Sequence, residues 1–152
     1  MLLVLLGVLS LYRDPTARIL ERRGELALVD EGPLAPAEEF FDQEVRLVSS
    51  SGLVVELDLR VPASDGNPRP AMLLLGGHRT GRHASRLVPG TQSAVVAAMS
   101  YPTRVERITG LSDLLAARDA ILDTPAAVML CADYLSARPD VDPLRIELVG
   151  DR

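Results

Sequence analysis

The chain has 152 residues, 47% hydrophobic and 24% charged; this is the size of one domain with enough apolar material for a packed core, which excludes wholesale disorder. The net charge of −5 excludes a nucleic-acid binder, because neutralising phosphates needs a basic face. One cysteine and two histidines leave no disulfide framework, no ligand set for a metal and nothing that calls for a cofactor.

Met1–Tyr12 is apolar and uncharged. As a helix it would span about 18 Å, against about 30 Å of bilayer hydrocarbon. It reads as the stub of a membrane anchor, as a helix packed on the domain, or as a signal core without a basic leader or a cleavage site. Arg13, Arg18, Arg22 and Arg23 follow the run. Under the positive-inside tendency they place the rest of the chain in the cytoplasm, so the expectation is membrane contact through Met1–Tyr12 with a cytoplasmic domain.

Asp14-Pro15 is a helix start, an acceptor side chain followed by proline at the first helical position, and Gly24 is the stop. Glu25–Asp42 is acidic, holds Pro33 and Pro36, and reads as a linker or loose arm. The expected divisions are therefore an apolar segment over 1–12, a helix and acidic linker over 13–43, and a domain over 44–152.

From Glu44 the pattern has period two. Val45 and Leu47, then Leu53, Val55, Leu57, Leu59 and Val61, alternate with polar residues across the turn Ser49-Ser50-Ser51-Gly52. This predicts a hairpin with one buried and one wet face. Pro62–Pro70 is a polar loop. Ala71–Leu75 is apolar without alternation, as in a strand covered on both faces. Gly76-Gly77-His78-Arg79-Thr80-Gly81-Arg82 follows directly. Ser93–Met99 is a further short strand. Leu111, Leu114, Leu115, Ile121 and Leu122 fall at helical spacing, as do Ala127, Leu130, Cys131, Tyr134 and Leu135. Thr124-Pro125 reads as the start of a second helix, so two helices are expected. Pro139–Pro143 breaks the pattern, and Arg145–Val149 is a last strand. A hairpin followed by strands with crossover helices predicts an α/β sandwich with a mixed sheet.

Two features bear on chemistry. Gly76, Gly77 and Gly81 are either a tight turn at a strand end or a loop whose N–H groups hold an oxyanion or phosphate. It is neither a Walker loop nor a G-x-G-x-x-G turn. Arg79, Arg82 and Arg86 could meet a carboxylate or phosphate, or form a solvated face. The second feature is Arg138-Pro139-Asp140-Val141-Asp142-Pro143-Leu144-Arg145-Ile146-Glu147-Leu148-Val149-Gly150, a strand that feeds a glycine, as in a G-x-S-x-G elbow. Cys131 lies on an apolar helical stripe and is expected in the core. His78 and His83 lie among arginines, which disfavours a metal. Asp140 and Asp142 read as turn caps.

From Glu44 to Gly150 the chain resembles the N-terminal part of an α/β-hydrolase of the dienelactone hydrolase or acyl-esterase type. The resemblance rests on the element order and above all on Arg138–Gly150. It implies a hydrolase acting on a small-molecule acyl ester or thioester, with oxyanion donors near Gly77, His78 and Arg79. It also implies that serine, acid and histidine follow one another at or beyond position 152. Arg152 falls where the serine should stand, and a guanidinium is no nucleophile. No catalytic residue is assigned within the chain, and inactivity of this polypeptide alone is expected. The sheet would be incomplete, with Ile146–Val149 an open apolar edge that invites self-association. The rival expectation is a non-catalytic, membrane-associated binding or interaction protein.

Overall fold

The computed structural model describes residues 14–37, 39–63, 66–76, 80–88, 93–102 and 110–150, without the side chains of 111, 112 and 114–116. Helix α1 (Pro15–Arg23) begins and ends as the sequence predicts. Asp14 Oδ1 accepts from Thr16 N–H at 2.9 Å, Pro15 opens the first turn, and Gly24 closes the helix by donating to Leu20 O. Seven strands follow in one open mixed sheet: β1 (Leu26–Glu31), β2 (Ala35–Ala37), β3 (Phe40–Ser49), β4 (Val54–Pro62), β5 (Arg69–Leu75), β6 (Val95–Met99) and β7 (Val141–Gly150). A 3-10 turn spans Gly81–Leu87, and helix α2 spans Leu111–Ala137.

The expected hairpin is β3–β4, paired antiparallel from Phe40↔Pro62 to Val48↔Val54. Its period-two residues Val45, Leu47, Val55, Leu57 and Leu59 are buried, and they meet Ala127, Leu130, Cys131 and Leu135 of α2 in the main core. At about 1.5–3 kcal/mol per buried aliphatic side chain, this face supplies much of the fold's drive. β5 is buried on both faces as its unbroken apolar run implies, with Leu73 toward α2 and Leu74 toward a smaller cluster with Val96 and Ala98. The spatial order is β1-β3-β4-β6-β5-β7, with β2 alongside β3. β6, β5 and β7 run parallel to one another, and the remaining pairs are antiparallel.

Four expectations are corrected. The Glu25–Asp42 segment is no linker: β1 and β2 both pair antiparallel with β3, so the sheet runs straight through the expected boundary at residue 43. Both strands are short and mostly exposed, so they lack the apolar alternation that marks the hairpin, and only pairing with β3 makes them strands. The two expected helices are one: Pro125 sits inside α2. An interior proline costs about 3 kcal/mol, which the fully buried Ala126, Ala127, Leu130, Cys131 and Leu135 beyond it offset. Ile121, expected on the apolar stripe, is 72% exposed, whereas Leu122 turns inward. Finally, the Pro139–Pro143 breaker is partly strand. β7 starts at Val141, bulges between Val141 and Ile146, and pairs in register with β5 only from Ile146. Within the bulge Asp142 Oδ1 accepts from Leu144 N–H at 3.1 Å, the turn-capping role expected of it.

β7 lies at an open edge with Leu144, Leu148 and Val149 exposed. The bulge and Pro143 blunt its first half against strand addition, leaving Ile146–Gly150 open. Residues 117–137 of α2 are long and apolar enough to cross a bilayer, but their apolar stripe is the lid of the main core, which makes α2 a core helix. Met1–Tyr12 lies outside the described residues.

Candidate active site

The three parallel strands end level with one another. Leu75 of β5 is opposite Met99 of β6 on one side and Gly150 of β7 on the other. The glycine-rich turn therefore leaves β5 directly beside the glycine that precedes the expected elbow. In open α/β sheets, ligands bind in the crevice beyond such carboxyl ends.

The ends of the turn are pinched together. A Cβ on Gly76 would lie 2.0 Å from Gly81 O and 3.1 Å from Ala84 Cβ, and Gly81 has φ +48°. Only glycine permits that approach at 76, and position 81 lies in the left-handed region that favours it. Gly76 and Gly81 are thus held against each other at the end of β5, with 77–79 between them outside the described residues. The oxyanion candidates Gly77, His78 and Arg79 lie outside the described residues, as does Arg152.

The arginines separate. Arg82 reaches back over the hairpin to Asp58 (3.3 Å), Glu56 (3.6 Å) and Glu44 (3.7 Å). Glu44 and Asp58 are direct cross-strand partners, a destabilising like-charge pair unless a cation bridges them. Arg82 is that cation, so its charge is met within the protein. Asp58 was expected on the wet face of β4, yet it is 7% exposed because the 3-10 turn covers it. His83 Nδ1 stands 3.1 Å from Asp58 Oδ2, and Asp58 Oδ1 has no hydrogen bond among the described residues. Arg86 is exposed and borders a cavity of about 440 Å³ together with Asp42, Glu44, Asp58 and Ser85. Three carboxylates in that wall disfavour an anion there. No group of three or more His, Cys, Asp or Glu suited to a metal occurs among the described residues.

Cys131 is fully buried, and burial pushes its thiol up to about 12. It is a core residue and not a nucleophile. The Arg138–Asp140 motif has a structural duty that spacing alone did not reveal. Arg138 grips Asp140 in two hydrogen bonds (2.9 and 2.7 Å) and donates to Tyr134 Oη at 2.7 Å, and Tyr134 donates to Glu31 at 2.5 Å. This network ties the end of α2 to both β7 and β1. Burial raises the Tyr134 phenol, and its hydrogen bond to Glu31 raises it further. Burial opposes the Arg138 charge, but the Asp140 hydrogen bond and Tyr134 outweigh it, so the guanidinium stays charged. Glu31 carried no signal in sequence, because its partner lies on another element far along the chain.

No protein-family model and no curated protein sequence matches the chain. Solved structures do. A protein assigned as an acetyl xylan esterase from Bacteroides fragilis superposes with a TM-score of 0.67 at 12% identity, over 90% of this chain and 45% of that one. The acetyl xylan esterase of Paenibacillus sp. R4 gives 0.63 at 17% identity, over 89% and 49%. The glucuronoyl esterase of Solibacter usitatus gives 0.59 at 14% identity, over 91% and 52%. The described sheet and helices match part of the α/β-hydrolase-like fold of these esterases. At these identities the likeness establishes the fold alone, and the chain spans about half the length of the structures it matches. The α/β-hydrolase expectation drawn from Arg138–Gly150 is thus met in fold. The matched esterases lend no support to a membrane-associated binding protein.

Proposed function

We propose that this α/β-hydrolase-like chain supplies the oxyanion-turn half of a serine acyl-ester hydrolase. One observation carries the reading: the register Leu75↔Gly150, which sets the pinched glycine turn next to the strand end from which an elbow would spring. A carbonyl held between the two would have its oxygen at the turn and its carbon facing the elbow. Oxyanion donors of this kind are typically worth about 3–4 kcal/mol each in the transition state. The matched enzymes are named for acetyl xylan and glucuronoyl esters, which favours acyl or uronoyl esters of carbohydrates as the substrate class.

On this reading Arg152 falls at the nucleophile position of the sequence pattern, and His83 Nδ1 lies 3.1 Å from Asp58 Oδ2 on the hairpin. The 152-residue polypeptide alone is therefore expected to hydrolyse p-nitrophenyl acetate no faster than a heat-denatured sample. Turnover that co-purifies with the chain and is stopped by a serine-directed phosphonate would refute the reading.

A further inference from the structure

Helix α1 has no buried residue, yet it lies along α2 in a defined place. Among the described residues, what holds it is charge, a few hydrogen bonds and the half-buried Ile19. Arg22 pairs with Asp119 at 2.9 Å and Asp123 at 3.5 Å, and Arg23 pairs with Asp133. Ser51 Oγ caps Arg22 O, and Glu25 and Ser50 exchange two hydrogen bonds just beyond the helix. Gly24 forms the joint. Its φ of +57° favours glycine, and a Cβ there would stand 2.7 Å from Ser50 Oγ.

Beneath α1 lies a cleft. Two cavities of about 300 and 510 Å³ share Arg22 and Ser51 as a common wall, with Leu53, Val54, Pro102 and Leu122 among their apolar linings. Val54 opens β4 and Pro102 follows β6, so the cleft sits beyond the same sheet end as the glycine turn and Gly150. Position and latch thus coincide.

We propose that α1 is an electrostatically latched lid, jointed at Gly24, that closes this cleft and is released by salt. Exposed ion pairs of this kind are individually weak, and they weaken further as the Debye length falls from about 10 Å at 0.1 M salt toward about 3 Å at 1 M, the scale of the 2.9–3.5 Å separations here. Among the described residues, no fully buried side chain of α1 replaces them once they weaken. A nine-residue helix freed from its support does not persist in water, so release melts α1 and opens the cleft. This inference stands independently of ester hydrolysis.

Hydrogen exchange on the full chain at 20 and 500 mM NaCl tests it. Backbone amides of Ile19–Gly24 are expected to lose about tenfold in protection at high salt, while those of Val45–Leu47 and Val55–Leu59 stay within twofold. The double variant Asp119→Asn/Asp133→Asn should reproduce the loss at low salt, and the charge exchange Arg23→Asp/Asp133→Arg should retain protection better than Asp133→Asn. Salt-independent protection of α1, or equal loss across the sheet, overturns the proposal.

Discussion

Replacing Arg82 with alanine isolates the electrostatics of the hairpin. Arg82 has a side chain 27% exposed and faces Asp58 at 11%, whereas Glu44 and Glu56 are 70% and 53% exposed. The two exposed pairs are worth at most about 0.5 kcal/mol each after screening. The Asp58 contact is different: removing one partner from a buried pair typically costs about 3–5 kcal/mol. His83 remains 3.1 Å from the carboxylate and Arg82 keeps some solvent, so the expected cost falls below that range, about 2–3 kcal/mol in total with the exposed pairs included. Urea denaturation of wild type, Arg82→Ala, Asp58→Asn and the double variant forms a cycle. Once Asp58 is neutral, Arg82→Ala should cost about 1 kcal/mol, which makes the coupling at least about 1 kcal/mol. Additive effects, or a loss below about 0.5 kcal/mol for Arg82→Ala, would show that Arg82 is an ordinary surface residue and that the like-charge pair needs no bridge.

Gly76→Ala drives a methyl against Gly81 O, at 2.0 Å before relaxation; a loss of about 3 kcal/mol or more, or an insoluble product, is expected, and a Tm within two or three degrees of wild type, roughly 1 kcal/mol or less, would refute the pinched geometry. Cys131 should resist Ellman's reagent at pH 8 in the folded protein and react at once in denaturant, since burial holds the thiol at about 12. The sign for stability follows: above about pH 9 the unfolded chain releases a proton that the folded chain retains, so this group lowers stability as pH rises through that range, an effect absent in Cys131→Ala. Tyr134→Phe removes the hydroxyl that joins Glu31 to Arg138 and should cost about 1–2 kcal/mol, with exchange faster in β1 than in β5. Uniform acceleration would mean that the network does not act through β1.

The hairpin, the doubly covered strand β5 and the cap-to-cap extent of α1 were legible because each depends on local signals, which are period-two burial, an unbroken apolar run, and an Asp-Pro start with a Gly stop. Cys131 could be placed in the core for the same reason, by the stripe it shares with Leu130 and Leu135. The fold class followed from the order of these elements and from Arg138–Gly150, a contiguous phrase. What was not legible depended on partners distant in sequence. β1 and β2 are strands only because β3 lies beside them, Pro125 is tolerated only because α2 has a sheet to lie on, and Asp58 is buried only because a turn some twenty-five residues later folds over it. Arg82 read as a ligand-binding candidate or part of a solvated face and is instead the bridge between two carboxylates set opposite each other by strand register. The sequence by itself determined the hairpin, β5, the extent of α1 and the fold class. Only the tertiary structure decided which charges are already satisfied, and that Leu75 and Gly150 end side by side, since register across parallel strands is set by packing between segments and leaves no mark within either one.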